Sequence, residues 1–323
     1  MCLVRRCAIY ARSANNVPLL RLRLEKAAKR QRGGTVTLVH TKGSNGGKGA
    51  RENDAPGVSL MLERLVIMSY NAEQDSSDIC YTYDGTFDGL LTAIFTAVYS
   101  RKTPLHIFPA DKLQLAFGER YINIVTEAEK AARVMNAVTD KLGSFGAKRL
   151  YYVFLSDADD KEIIIYKYMM LGFKNGSIVN SALADDTVSA ACNAAQNVSR
   201  EAEKFRQFTR FSIMEGGVHY ARIVPKNNVL PIITPFFLKR LHSIPFIIND
   251  LTHDICSVYN TRSWYITSSV GITPPEASED EQEMKRLWKI FFDSVSIKER
   301  ENLKLQKQNM GSRYFKDVWS VKE

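Results

Sequence analysis

No run of about eighteen apolar residues occurs in this chain of 323 residues, so no membrane-spanning helix is expected. The longest apolar-leaning stretch, Leu230–Leu241, is broken by prolines and charges. Met1–Tyr10 lacks the apolar core of a secretory signal. Cysteine is sparse and odd in number: Cys2, Cys7, Cys80, Cys192 and Cys256 are scattered, as reduced thiols in a cytosol would be. A soluble, cytoplasmic protein is the expectation.

The same scarcity bears on chemistry. An iron–sulfur cluster needs closely spaced cysteines, yet Cys2 and Cys7 stand alone and the other three lie at least 64 residues apart. No C-x₂-C pair exists, and no H-x₃₋₅-H pair exists among His40, His106, His219, His242 and His253, so zinc has no anchor. Each lone histidine reads as a surface or hydrogen-bonded residue. A G-x-S-x-G elbow is missing, which leaves hydrolase chemistry without its nucleophile. Neither a metal nor a cofactor is expected.

The charge is unevenly placed. Formal net charge is +9, and residues 1–67 carry all of it, with thirteen Lys or Arg against four Asp or Glu. The remainder is balanced, so any claim on nucleic acid there must come from local patches. The basic segment also holds Gly43-Ser44-Asn45-Gly46-Gly47-Lys48-Gly49 after the strand-like Thr35–His40. A phosphate loop needs G-x-x-x-x-G-K-[ST]; here the spacing is one residue short and Gly49 replaces the hydroxyl. Three readings of 1–67 stay open: a disordered basic tail, a targeting extension, or a mis-called start, with Met68 offering another. An appended or spurious extension is favoured over a folded module.

From Ile79 the patterning is that of a folded domain. Ile79–Tyr83 alternates like a strand and runs into Asp84-Gly85-Thr86, a turn and helix-entry signal. Phe87, Leu90, Leu91, Ile94, Phe95 and Val98 then recur at helical spacing. Thr126–Leu142 predicts a helix stopped by Gly143, and Glu162–Phe173 another after a polar cluster at Ser156–Asp160. Asp185–Phe205 predicts a long helix with its carboxylates at the positive end. Phe208–Ile213 and Val218–Val224 read as a hairpin around Gly216-Gly217. Pro231–His242 reads as a helix, followed by strands at Phe246–Ile248, Ile255–Tyr259 and Trp264–Ser268. Glu276–Val295 predicts a helix carrying Leu287, Trp288, Phe291, Phe292 and Val295 on one side. Ile297–Lys307 and Tyr314–Trp319 close the chain as short basic helical pieces. No internal repeat is found. The class is α+β: residues 78–323 form one unit, a helical half at 78–205 and a mixed half at 206–323 with a small antiparallel sheet and packed helices.

Three features carry candidate chemistry. Asp84 is a weak candidate for a polarising or base carboxylate beside Tyr81 and Tyr83; the favoured reading is a turn residue bonding its own backbone. In Phe205-Arg206-Gln207-Phe208-Thr209-Arg210-Phe211, strand alternation would put Arg206, Phe208 and Arg210 on one face, to grip phosphate and stack a base. The third is Lys298–Lys316, with Lys298, Arg300, Lys304, Lys307, Arg313 and Lys316 against Glu299 and Glu301, and Tyr314 and Phe315 inside it. Read plainly it is a solvated helix face with its aromatics packed inward; read functionally it contacts nucleic acid.

Several of these stretches together resemble one family over about 240 residues. They are Tyr81–Leu91, Leu150–Ser156, Phe205–Phe211, Val229-Leu230-Pro231 with Pro235-Phe236-Phe237, and Trp288 through Tyr314. The chain is similar to a bacterial set of DNA-metabolism proteins of unresolved activity. Its members are encoded beside a radical SAM protein of DNA modification or repair, and some are fused to a uracil-DNA-glycosylase-like domain. The family's C-terminal signature resembles Met-Pro-Lys-Arg-Tyr-Trp, where this chain has Met310-Gly311-Ser312-Arg313-Tyr314-Phe315; Met, Arg and Tyr match. Nothing in 1–67 resembles the family or the fusion partner. The resemblance implies an accessory in DNA repair or modification, with a radical SAM protein and DNA, single-stranded or damaged, as partners. Two alternatives stand beside it: a glycosylase-like or nuclease-like enzyme, and a protein-interaction scaffold.

Overall fold

The computed structural model describes residues 79–112, 120–271 and 276–302, together with 304, 305, 308, 310 and 314. The basic segment 1–67, its glycine-rich loop, Met68, and the site candidates Lys307, Arg313 and Lys316 lie outside the described residues, as does Phe315. Two compact units divide the chain. One takes in 79–154 and Ala158–Ala195; the other takes in Leu155–Asp157 and the described residues from Gln196 onward.

The first unit is built around a three-stranded parallel sheet. Strand β1 (Ile79–Tyr83) is central, with β2 (His106–Pro109) and β3 (Arg120–Asn123) on either side. All five residues of β1 are buried, as a strand covered on both faces must be. Helix α1 (Phe87–Tyr99) follows, capped by Thr86, whose hydroxyl accepts from the amide of Gly89. Its Leu90, Leu91, Ile94, Phe95 and Val98 are buried, as their spacing predicts.

Helix α2 (Ala128–Phe154) runs past the expected stop. Gly143, at φ 75° and ψ 174°, kinks it and does not end it. A side chain there would be strained, and glycine is what allows the chain to break direction and resume. Val134, Ala137, Val138 and Leu142 lie before the kink, and Ala147, Leu150 and Val153 after it, all in one core. Helix α3 (Lys161–Asn175) adds Ile165, Tyr168, Met169 and Phe173 to that core. Helix α4 (Asp186–Phe208) is entered through Asp185, whose carboxylate accepts from the amides of Thr187 and Val188 at 2.9 and 3.1 Å.

The second unit holds a five-stranded sheet in the order β4 (Ser212–Ile213), β5 (His219–Ile223), β6 (Phe246–Asp250), β7 (Ile255–Tyr259), β8 (Trp264–Ser268). The expected glycine hairpin is β4–β5, with Gly216 and Gly217 both at positive φ. Between β5 and β6 the chain crosses through α5 (Leu230–Arg240), so that one pair is parallel within an otherwise antiparallel sheet. Glu201 on α4 is buried, and it accepts from the amides of Lys226 and Asn227 and from the Asn227 side chain, all within 2.8 Å. Those bonds hold the loop that leads into α5. Helix α6 (Glu279–Val295) and a 3₁₀ turn at Lys298–Arg300 follow.

The α+β class stands, as a mixture of packed helices and small sheets. One further element is corrected. Phe205–Phe208 is not a strand but the end of α4, because Val198, Ala202 and Phe205 are buried at i, i+4 and i+7 and carry the helical period through the aromatic segment. Among the described residues, no helix is long and apolar enough to cross a membrane.

Candidate functional site

Asp84 leaves the carboxyl end of β1, the edge of a parallel sheet where loops build ligand sites. Its Oδ1 accepts from the Thr86 amide at 3.0 Å and from the Thr86 hydroxyl at 2.7 Å. Its Oδ2 accepts from the Thr126 hydroxyl at 2.9 Å, which joins the loop after β1 to the one after β3. Gly89 makes room for this: a Cβ at that position would collide with the Asp84 carboxylate and crowd the hydroxyls of Thr86 and Thr126. The Asx-turn geometry is therefore present, and the carboxylate is still exposed.

A cavity of about 490 Å³ opens beside it, lined by Tyr83, Asp84, Gly85, Pro109–Lys112, Phe154 and Lys161. Its size falls within the range of small-molecule sites. Lys161 stands 5.4 Å from the centre of the Phe154 ring. Beneath the wall, the Tyr83 phenol donates to Glu162 Oε1 at 2.9 Å, and both residues are buried. Burial raises the Glu162 carboxyl above its ordinary range, partly opposed by its own backbone amide and by Lys161. Burial and the neighbouring Glu162 carboxylate push the Tyr83 phenol well above the usual range. Tyr81 takes no part, since its phenol meets the Ser100 hydroxyl beyond the end of α1. Glu162 was missed by sequence reasoning because an acid in a first helical turn reads as a solvated partner of the dipole.

The basic–aromatic residues are arranged otherwise than expected. Arg206 lies on α4, paired with Glu203 at 3.1 Å, donating to the Ile232 carbonyl at 3.2 Å, its guanidinium 5.8 Å from the Phe236 ring centre. Phe208 is the last residue of the helix. Arg210 follows it and donates back to the carbonyls of Gln207 and Thr209. The expected single strand face is thus absent, and the two arginines serve the helix end. Tyr314 is brought to this same place: its ring centre lies 4.8 Å from Phe205 and 5.8 Å from Phe208, with Lys204 Nζ 5.7 Å from it. The two sequence clusters therefore meet through their aromatic members. Lys298, Arg300 and Lys304 are exposed.

The thiols of Cys80, Cys192 and Cys256 are buried. Among the described residues, no three His, Cys, Asp or Glu side chains are grouped to hold a metal ion.

By fold, this is a mixed α+β protein with a small parallel sheet in one unit and a five-stranded sheet in the other. Residues 159–319 match the family model of a domain of unknown function, DUF4130, so a domain of an uncharacterised family is found there. That segment runs from α3 through α6 and includes the basic–aromatic cluster, Lys161 and Glu162, while Asp84 and β1 precede it. Neither a curated protein nor a solved structure matches the chain.

Proposed function

We propose that the chain is a DNA-engaging accessory in DNA repair or modification, acting beside a radical SAM protein that supplies the chemistry. The observation that carries this reading is the convergence of Tyr314 on Phe205 and Phe208, with Lys204 against its ring. Phe205 is buried and backs the cluster, which leaves the half-buried Phe208 and Tyr314 as the rings a base could meet. Aromatic groups flanked by cations suit single strands, whose bases stack while the cations follow the backbone. The exposed Lys298, Arg300 and Lys304 extend the basic surface nearby in sequence. The partner is drawn from the family resemblance. The test is affinity for single-stranded DNA measured over a range of salt, with co-purification of the radical SAM partner in the presence and absence of damaged DNA. A log–log salt slope near zero removes DNA contact, and failure to co-purify removes the partnership.

A second reading, an enzyme acting on nucleic acid, is favoured by the cavity, where Asp84, Lys112 and Lys161 surround a wall backed by the Tyr83–Glu162 pair. Such an arrangement offers a cation for phosphate and carboxyl groups for proton transfer. Release of a base or cleavage of a strand by the purified chain, lost in Asp84→Asn and Glu162→Gln, would establish it. Absence of both products leaves the accessory role.

A further inference from the structure

Helix α6 shows most of its apolar residues to solvent. Met284, Leu287, Trp288, Phe291 and Val295 recur at i, i+3, i+4, i+7 and i+11, one stripe about 100° wide, and each is between 43% and 60% exposed. The helix meets its own unit along a neighbouring line instead, through buried Glu281 and half-buried Lys285 and Phe292. Five half-exposed large side chains make a patch on the order of 400–500 Å², near the top of what a monomer leaves uncovered.

We propose that this stripe is a homodimer interface, in which α6 pairs antiparallel with α6 of a second copy. Two features select this occupant. The first is the order of side chains along the stripe. A two-fold axis between Lys289 and Ile290 sets Trp288 against Phe291 of the second copy and Met284 against Val295, with Leu287 flanking the stripe. Aromatic groups then meet at the centre and aliphatic ones at the ends, the self-complementary order an isologous contact requires. The Trp288 and Phe291 rings already lie 5.7 Å apart within one chain and form a single aromatic platform.

The second feature is charge. The helix begins with Glu279, Asp280 and Glu281, and Lys298 and Arg300 lie just beyond its end, with Asp280, Lys298 and Arg300 all exposed. Antiparallel pairing brings Asp280 of one copy to the Lys298–Arg300 turn of the other, twice by symmetry, and opposes the helix dipoles favourably. Parallel pairing would set acid against acid. Two such patches together fall somewhat below a standard specific interface, so a weak dimer with a dissociation constant of roughly tens of micromolar is expected.

The test is sedimentation equilibrium on the full chain from about 1 to 100 µM, a range that brackets that affinity. A concentration-dependent dimer is expected. The Trp288→Asp/Phe291→Asp variant should be monomeric with an unchanged melting temperature, because neither ring belongs to the core. Asp280→Lys and Lys298→Glu should each raise the dissociation constant by roughly two- to fivefold, and the double reversal should restore it, a pattern that parallel pairing cannot give. A chain that stays monomeric throughout overturns the proposal. So does a dimer that survives the double aspartate variant, or one in which the double reversal fails to restore pairing.

Discussion

The phenol of Tyr83, at the end of the central strand, donates a 2.9 Å hydrogen bond to Glu162 in the first turn of α3. A buried carboxyl with one good donor is poised between two costs. Ionised, it lacks solvation; protonated, it gives up little. Burial accordingly raises its pKa above the ordinary 4.5. The folded state then binds a proton more tightly than the unfolded state. Stability from this group is complete below about pH 4.5 and is lost as pH rises through the folded value.

Glu162→Gln tests that sign. Glutamine keeps a carbonyl to accept from Tyr83 but has no proton to lose. The unfolding free energy of the wild type should fall relative to the variant as pH rises above about 4.5, so that glutamine gains on glutamate with rising pH. Chemical denaturation at a series of pH values measures it. Parallel curves would mean that Glu162 is solvated in the folded state.

Gly89 and Asp84 supply a coupled pair. A methyl group at position 89 would collide with the Asp84 carboxylate. Gly89→Ala should therefore cost about 1–3 kcal/mol, although alanine is otherwise the better helix former. Asp84→Ala alone loses three hydrogen bonds at an exposed site and should cost about 1 kcal/mol. In the double variant the collision with the carboxylate is gone and only the crowding by the Thr86 and Thr126 hydroxyls remains, so the sum of the single effects should exceed the measured one by at least about 0.5 kcal/mol. Strict additivity would show that the loop shifts freely to accept the methyl.

Some of this was legible from residue order, and the gaps have physical causes. The stripe Leu90, Leu91, Ile94, Phe95 and Val98 needed only its spacing to be placed in the core. Strands β2 and β3 carried no such sign: β2 buries only Ile107, and β3 is intermediate at Tyr121 and otherwise exposed. Edge strands of four residues owe their place to the hydrogen bonds of β1, which no alternation records. Phe205–Phe211 failed differently, since its aromatic spacing fits a period of two as well as a helix. Only the upstream burial of Val198 and Ala202 decides between them. At the site, Asp84 was visible as a turn residue, whereas the Tyr83–Glu162 contact joins residues 79 apart and had no local signal.

Glu201 gives a prediction free of any functional assumption. Its carboxylate satisfies two buried or half-buried amides and one side-chain amide ahead of α5. Glu201→Ala leaves those donors without their acceptor and should cost about 3 kcal/mol or more. Glu201→Gln keeps one acceptor oxygen and should cost less. Urea denaturation ranks the two, and equal small losses would mean that water replaces the carboxylate.

The basic residues divide by what the fold already asks of them. Arg206 bonds the Ile232 carbonyl and Glu203 and faces the Phe236 ring, so Arg206→Ala should cost about 1–2 kcal/mol of stability. Arg210 closes the end of α4 through two carbonyls, and its loss should cost about 0.5–1 kcal/mol. Lys298, Arg300 and Lys304 are exposed, and their alanine variants should melt with the wild type. If the chain engages single-stranded DNA, those three exposed residues are the candidates for phosphate contact. Each alanine should flatten the plot of log affinity against log salt by roughly 0.7, the value for one single-strand phosphate contact. Arg206→Ala should instead change melting temperature with little change in slope. Tyr314→Phe keeps the ring contacts with Phe205 and Phe208 and should retain their share of the stability, while Tyr314→Ala gives up two aromatic contacts worth about 0.5–1.5 kcal/mol each. Melting temperature and salt slope measured on the same preparations separate the two groups. Wild-type slopes in all three exposed variants would remove this surface from DNA binding, whatever the arginines do to stability.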